Sequence, residues 1–284
     1  MLANVNGIPV HFAQHAGGTP VLALHGSGVD HREIMGALEP LFADRPGYRR
    51  IYPDLPGMGR TPAPETIDST DAVLDTLLGL VDAVIGEEAF LVVGHSYGGY
   101  LARAIANRRP RQVAGLALLC SLLGEQGRED ERPEHVVLHA ADDLDLDGAL
   151  EPAMAAEFRD YLVVHTPATL RRFQEMVVPG VELADRVALE RIFARWRLRT
   201  APEQAPAYAN PTLILAGRQD ATVGYAGVWR LLEHYPRATF AVLDRAGHGL
   251  PHEQIGLLTA LLAEWLDRVR EHRAATAAAN DAVR

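Results

Sequence analysis

The segment around Ser96 constrains the fold of this chain more than any other part of the sequence. An apolar run at residues 91–93, Leu-Val-Val, leads directly into the motif Gly-His-Ser-Tyr-Gly-Gly at residues 94–99. Glycines placed two residues before and after a serine let neighbouring backbone approach closely, as a tight turn from a strand into a helix requires. Such a turn holds the serine in strained backbone and presents its hydroxyl group. The pattern therefore predicts a buried strand, a nucleophile elbow at Ser96 and a helix that begins just after it.

A base and a carboxylate are expected downstream, because a serine hydroxyl is a poor nucleophile at neutral pH without them. The predicted strand at 212–216 is followed by Gly-Arg-Gln and Asp220, and the predicted strand at 239–243 is followed by a loop with His248 between two glycines. Open α/β sheets place their sites at the carboxyl ends of strands. Asp220 and His248 are therefore the candidate acid and base.

Other residues compete for both roles. His252 lies only four residues after His248, but it precedes Glu253 at the start of the last predicted helix, whereas His248 lies in a glycine-flanked loop. Asp244 is too close in sequence to His248 to reach the far ring nitrogen easily, and Glu253 suits a helix cap better than a triad. We therefore favour Asp220 and His248.

Alternating strands and helices predict an α/β fold with a mostly parallel central sheet covered by helices on both faces. The predicted strands lie near 9–12, 21–24, 50–52, 90–93, 113–119, 212–216 and 239–243, and predicted helices include 69–85, 98–107, 225–234 and 253–272. The stretch 121–209 contains helix-like segments and no convincing strand. Residues 273–284 are rich in alanine and polar residues, and we expect a disordered tail there.

Five motifs in this order resemble the α/β-hydrolase fold family. They are His25-Gly26-Ser27-Gly28, Asp54-Leu55-Pro56-Gly57-Met58-Gly59-Arg60, the elbow at Ser96, Gly217-Arg218-Gln219-Asp220 and the loop of His248. The resemblance implies that Ser96 is the nucleophile, Asp220 the acid, and His248 the general base and acid. It also implies an oxyanion hole formed by the backbone N–H groups of Ser27 and Tyr97.

The same resemblance implies a helical cap. Residues 1–120 and 210–272 would form the α/β-hydrolase core, and residues 121–209 would form a cap inserted after the sixth strand. Within the cap, four apolar side chains could line a substrate pocket, although packing between cap and core explains them equally well: Phe173, Met176, Phe193 and Trp196. His25 is expected to shape the oxyanion loop, with contact to the substrate as the alternative.

The composition excludes several classes of protein. The chain contains no lysine, which excludes Walker-type phosphate loops, Schiff-base catalysis and Ser-Lys dyads. With 27 basic and 37 acidic residues, its net charge of −10 disfavours nucleic acid as a partner. No run approaches ~18 apolar residues and the N-terminus lacks a signal pattern, so we expect no membrane association and a cytoplasmic location. The lone Cys120 ends an apolar run and is predicted to be a buried thiol, without any disulfide.

No metal or organic cofactor is expected. Residues 143–148 imitate the start of a calcium loop, but Met154 occupies the position of the bidentate glutamate. A serine triad also completes acyl chemistry without a cofactor. The sequence carries no signal for the oligomeric state.

The leading expectation is a serine hydrolase that acts on a carboxylic ester or related small acyl compound through an acyl-enzyme. The alternative is a C–C bond hydrolase, or an enzyme of acyl transfer or cyclisation, since the same triad serves these reactions. Ser at position 96 disfavours dehalogenases and epoxide hydrolases of this fold, which place an aspartate there. A non-catalytic small-molecule receptor is a further alternative, but such a protein need not keep Ser96, Asp220, His248 and both oxyanion loops.

Overall fold

The computed structural model describes residues 1–124 and 132–282, with the side chains of residues 280–282 left out. Residues 125–131 of the predicted cap and 283–284 of the predicted tail lie outside this description. No helix in the described part of the chain has the length and apolarity that a membrane span requires.

The described residues form ten strands, of which eight build one central sheet in the order β1-β2-β4-β3-β5-β6-β9-β10. The strands are β1 (Leu2–Val5), β2 (Ile8–His15), β3 (Thr19–Leu24), β4 (Tyr48–Pro53), β5 (Phe90–His95), β6 (Val113–Leu119), β7 (His139–Ala140), β8 (Val164–His165), β9 (Thr212–Gly217) and β10 (Ala238–Leu243). Strand β2 pairs antiparallel with β1 and β4, and all other pairs in the central sheet are parallel. The predicted fold class is confirmed; β1 is a strand that the sequence analysis missed.

Helices cover both faces of this sheet. They are α1 (His31–Phe42), α2 (Thr70–Val84), α3 (Tyr97–Arg108) and α10 (Ile255–Ala282), joined by a 3-10 helix at Ala226–Glu233 and the short α9 (Leu250–Glu253). Alternate residues of β5 point to opposite faces. Val92 packs with the core on the side of α2 and α3, whereas Leu91 and Val93 pack with the core on the side of α1 and α10. A central strand buried on both faces explains the uninterrupted apolar run before Ser96.

Between β6 and β9 the chain leaves the central sheet. The described part of this insertion contains α4 (Leu146–Ala149), α5 (Pro152–Tyr161), α6 (Pro167–Arg172), a π-helix at Phe173–Val177, α7 (Val178–Leu183) and α8 (Arg186–Phe193). Strands β7 and β8 form a two-stranded parallel pair here, where the sequence analysis predicts no strand. The insertion has its own apolar cluster, which includes Phe158, Leu162 and Phe173. It follows the sixth strand, as predicted, and we retain 121–209 as the proposed cap.

The predicted disordered tail requires a correction. Helix α10 continues to Ala282 instead of ending near 272. Alanine has the highest helix propensity, so the alanine-rich segment can extend a helix that packing against the core has already nucleated. Its side chains from 273 to 279 are exposed.

Candidate active site

The nucleophile elbow forms at the junction of β5 and α3. Ser96 has φ of 53° and ψ of −117°, a strained backbone conformation for a residue other than glycine. A Cβ atom on Gly94 would lie 2.3 Å from the carbonyl oxygen of Gly98, and one on Gly98 would lie 2.3 Å from the carbonyl oxygen of Leu24. Any side chain at position 94 or 98 would collide with neighbouring backbone, so both positions require glycine.

The structure brings Ser96, His248 and Asp220 into one hydrogen-bonded chain. His248 Nε2 lies 2.9 Å from Ser96 Oγ, and His248 Nδ1 lies 3.0 Å from Asp220 Oδ2. All three side chains are buried. Because the carboxylate only accepts, Nδ1 donates to Asp220, which leaves Nε2 free to accept the hydroxyl proton of Ser96. This arrangement can remove and return a proton at the serine oxygen.

Asp220 is prepared to remain ionised. Its Oδ1 accepts hydrogen bonds from the N–H groups of Thr222 and Val223, each at 2.9 Å, in the loop that follows β9. Burial alone would raise the pKa of Asp220, but His248 and these donors outweigh it and hold the pKa below its ordinary value. Asp220 is therefore ionised and can accept the hydrogen bond from Nδ1 of His248.

The predicted oxyanion loop lies beside the serine. A Cβ atom on Gly26 would be 3.5 Å from Ser96 Cβ, and the next residue, Ser27, lines the cavity in front of Ser96. Tyr97 is the first residue of α3, so its N–H has no acceptor within that helix. The assignment of both N–H groups to an oxyanion hole stays a prediction.

His25 holds this loop in place. Its Nε2 accepts from the N–H of Leu55 at 3.0 Å, so the ring proton is on Nδ1, which donates to the carbonyl oxygen of Gly26 at 2.7 Å. Burial lowers the pKa of His25 and keeps the ring neutral. With both nitrogens engaged and the side chain fully buried, His25 shapes the loop and does not line the cavity.

A buried contact between a histidine and a carboxylate involves His95, the residue just before the serine. His95 Nε2 donates to the carbonyl oxygen of His248 at 3.0 Å, and His95 Nδ1 lies 2.9 Å from Oε1 of Glu33 without the alignment of a hydrogen bond. Burial alone would raise the pKa of Glu33, but His95 and His252, which face it, hold the pKa well below its usual range. Glu33 in turn raises the pKa of His95 against the effect of burial. His95 therefore links the backbone of His248 to the side chain of Glu33.

The competing acid and base residues occupy other places. His252 is fully buried with its Nε2 3.4 Å from Glu33 Oε1, and Asp244 is exposed. Glu253 accepts hydrogen bonds from three backbone N–H groups, those of Val163, Val164 and Gly247. Its carboxylate thus ties the proposed cap to the loop of His248. Burial raises the pKa of Glu253 to about 7.

A cavity of about 200 Å³ opens in front of Ser96. Its walls come from the oxyanion loop, α1, the elbow, α5, the π-helix and the loops of Asp220 and His248: Gly26, Ser27, Val29, Glu33, His95, Ser96, Glu157, Asp160, Tyr161, Val177, Thr222 and His248. Ser27, Val29 and Glu157 also line an adjoining cavity of about 460 Å³ under α8. Together the two cavities can hold a small substrate against the serine.

The structure corrects the predicted cap residues of the pocket. Only Phe193 borders either cavity, at the adjoining one, where its ring also meets that of Tyr97 at 5.1 Å. Phe173 is buried in the core of the cap against Phe158, and Met176 packs on Gly36 of α1. Trp196 lies in a surface groove with its ring near Tyr100. Packing, the alternative explanation offered above, accounts for Phe173, Met176 and Trp196.

The true lining residues of the cap gave little signal in the sequence. Glu157, Asp160 and Tyr161 lie in a predicted helix, but which face of that helix meets the cavity depends on how the cap folds over the core. Glu33 follows the oxyanion loop closely in sequence and carries no motif. Thr222 could have been found, since it lies two residues after Asp220 in the same loop.

Two clusters in the described residues have donor atoms close enough to hold a metal ion: His95 with Cys120 and His248, and His11 with His31 and Asp54. Burial raises the pKa of the Cys120 thiol well above its usual value, so it is a poor metal ligand. Asp54 already accepts from Nδ1 of His11 at 2.8 Å, Nδ1 of His31 at 2.7 Å and two backbone N–H groups. Hydrogen bonding satisfies this second cluster without a metal.

Comparisons with known proteins agree with this architecture. Residues 21–255 match the model of the Alpha/beta hydrolase family. The chain is 26% identical over 276 residues to 2-hydroxymuconate semialdehyde hydrolase of Pseudomonas sp. (strain CF600), which covers 92% of this chain and 91% of that protein. It is 30% identical to Lipase LipV of Mycobacterium tuberculosis, over 74% of this chain and 84% of the lipase. The crystal structure of an alpha/beta superfamily hydrolase from Oenococcus oeni PSU-1 matches with a TM-score of 0.84 and 28% identity, over 92% of this chain and 96% of that one. The chain belongs to the alpha/beta hydrolase family.

Proposed function

We propose that this protein is a serine hydrolase that cleaves small carboxylic esters through an acyl-enzyme. The observation that carries the proposal is the buried chain from Ser96 through His248 to Asp220, with the serine hydroxyl facing a cavity of about 200 Å³. A hydroxyl, a neutral imidazole and a carboxylate in this order are what nucleophilic attack on an acyl carbon requires.

In the proposed acylation step, Ser96 Oγ attacks the ester carbonyl while His248 Nε2 takes its proton. The negative charge that develops on the carbonyl oxygen is stabilised by the N–H groups of Ser27 and Tyr97. Asp220 stabilises the imidazolium that forms. His248 then returns the proton to the leaving alcohol, and the C–O bond of the ester breaks.

Deacylation repeats the sequence with water. His248 accepts a proton from a water molecule, the resulting hydroxide attacks the acyl carbon, and the tetrahedral intermediate collapses to release the carboxylic acid and restore Ser96. The hydrogen bond from His95 to the carbonyl oxygen of His248 holds the backbone of His248, which keeps its imidazole ring in the same position during both half-reactions.

A second candidate is hydrolysis of a C–C bond, favoured by the similarity to 2-hydroxymuconate semialdehyde hydrolase. A muconate is a carboxylate, and an anionic substrate needs a cationic group near the serine. Among the described residues, the lining of the cavity includes three carboxylates, Glu33, Glu157 and Asp160, and no arginine, while Arg186 borders only the adjoining cavity. This charge distribution supports ester hydrolysis over cleavage of such a substrate.

Hydrolysis of p-nitrophenyl esters of short acids tests the proposal. We expect turnover by the wild type, and a loss of about a thousandfold or more in kcat for Ser96→Ala, because the nucleophile is removed. Ser69→Ala is the matched control, since Ser69 caps α2 and does not line the cavity. A Ser96→Ala variant that keeps wild-type turnover would refute the proposal.

A further inference from the structure

The cavity in front of Ser96 has an unusual charge. Three carboxylates line it, and the described residues supply neither an arginine nor a lysine to its walls. His95 and His252 both face Glu33, at 2.9 Å and 3.4 Å from its Oε1. Glu157 and Asp160 have no histidine or arginine against them in this lining, so acidic side chains dominate the described walls of the cavity.

Glu157 and Asp160 are three residues apart on α5 and therefore share one face of that helix. Both side chains are exposed at the mouth of the cavity, and neither forms an ion pair with a cationic side chain in the described part of the chain. Arg159, which lies between them in sequence, pairs instead with Asp147 at 2.7 Å. Both carboxylates are thus available to interact with a ligand in the cavity.

Glu33 gives an independent indication from the floor of the cavity. Its side chain is only 1% exposed, and neither of its carboxylate oxygens accepts a hydrogen bond from a described residue. Only Oε1 approaches the histidines, His95 at 2.9 Å and His252 at 3.4 Å. The two histidines stabilise the carboxylate through Oε1, but Oε2 has neither a donor nor a histidine beside it among the described residues. A buried carboxylate oxygen without a donor is costly, so a positive group in the cavity would add to the stabilisation of Glu33.

The adjoining cavity does not reverse this charge. Glu157 borders both cavities, and Glu190 on α8 is balanced there by Arg186. Tyr161 at the end of α5 adds an aromatic ring to the wall, with its centroid 6.0 Å from that of the His248 ring. Aromatic faces attract ammonium groups, most strongly where water is excluded.

From this charge distribution we infer that the preferred substrates are esters carrying a positive charge, such as those of an amino or quaternary ammonium alcohol. The inference rests on the proposed ester hydrolysis and names its substrate class. Glu157 and Asp160 are the residues that select the cation, and they act on binding, so their effect falls on KM more than on kcat.

The test compares three acetate esters of similar size. One is acetylcholine, the second is its uncharged isostere with carbon in place of the quaternary nitrogen, and the third ends in a carboxylate. We expect kcat/KM to be about tenfold higher for the cationic ester than for the neutral one, and lowest for the anionic one. Added salt at about 0.5 M should reduce the difference.

The variant Glu157→Gln/Asp160→Asn should bring the ratio of cationic to neutral ester close to one, mainly through a higher KM for acetylcholine. Both esters are measured on every variant, so a change in turnover that is common to the two esters cancels in the ratio. Glu151→Gln is the matched control, because Glu151 lies at the start of the same helix, is exposed and does not line the cavity. It should keep the full preference.

Equal kcat/KM for the cationic and neutral esters in the wild type would overturn the inference and leave the proposed function intact. A preference that survives in the double variant would also overturn it. Absence of turnover for every ester would instead refute the proposed function. In that case the charge preference would be measured by comparing the rates at which a phosphonate ester of choline and its neutral isostere label Ser96. Equal labelling rates would overturn the inferred preference for cationic substrates.

Discussion

Asp220 uses its two carboxylate oxygens for different purposes. Oδ2 receives the ring N–H of His248, while Oδ1 receives two backbone N–H groups of its own loop. Asp220→Asn should preserve the loop, because an amide oxygen can still accept both backbone hydrogen bonds. The amide cannot stabilise an imidazolium and can turn its N–H₂ group toward Nδ1, which would favour the wrong tautomer of His248. We expect kcat for ester hydrolysis to fall about a thousandfold or more with little change in KM.

Asp244→Asn is the control for that variant. Asp244 is the other aspartate near His248 in sequence, yet it is exposed. Its substitution should leave kcat within about twofold. A large loss in Asp244→Asn together with near-normal turnover in Asp220→Asn would contradict the assignment of the acid.

At this scale the sequence predicted the three residues that the structure joins by hydrogen bonds, Ser96, His248 and Asp220, since each lies in a short motif directly after a strand. It could not predict the lining of the cavity. Glu157 and Phe173 both lie in cap helices, but one faces the cavity and the other faces the core of the cap. That difference is decided by packing between segments far apart in sequence, which local pattern does not encode.

Among the elements, the junction of β5 and α3 forms only because the backbone of α3 can approach the backbone of β3 closely. A Cβ atom on Gly98 would lie 2.3 Å from the carbonyl oxygen of Leu24 in β3. Gly98→Ala should therefore force the helix away from the sheet and lower the free energy of unfolding by about 2 kcal/mol or more, measured by denaturant titration. Gly256→Ala in α10 meets no atom within 4 Å and should be neutral or slightly stabilising. Equal stability of the two variants would contradict this explanation of the motif.

The contact between the proposed cap and the loop of His248 should depend on pH. Glu253 accepts the backbone N–H groups that join them, and burial raises its pKa from 4.5 to about 7. A raised pKa stabilises the folded state below pH 4.5, and this contribution is lost as pH rises to about 7. The stability advantage of the wild type over Glu253→Gln should therefore shrink by about 3 kcal/mol across that interval and then level off.

Thermal or urea unfolding at several pH values measures this difference. Glu271→Gln, at an exposed site on α10, serves as the control and should follow the wild type at every pH. If the difference between wild type and Glu253→Gln is constant from pH 4.5 to 7, the buried carboxylate does not titrate in this range.

For the whole molecule, alternation of strands and helices was enough to predict the layered architecture, because a central strand such as β5 is buried on both faces and reads as a continuous apolar run. The edge of the sheet was harder. Strand β1 is short and partly exposed, so its sequence contains no continuous apolar run. Its pairing with β2 is determined by tertiary contacts and not by its local sequence. The extent of α10 was missed for a related reason, since its last turns show no apolar periodicity and are helical by propensity alone.

Ser96 lies where β5, α3 and the loops of Asp220 and His248 meet, and its proposed activation can be tested without knowing the substrate. Intact-mass detection of labelling by a fluorophosphonate at neutral pH tests it most directly, with Ser96→Ala and His248→Ala alongside the wild type. We predict one adduct on the wild type, none on Ser96→Ala, and labelling of His248→Ala slower by about a hundredfold or more. A folded wild type that forms no adduct, or an adduct that persists in Ser96→Ala, would contradict it.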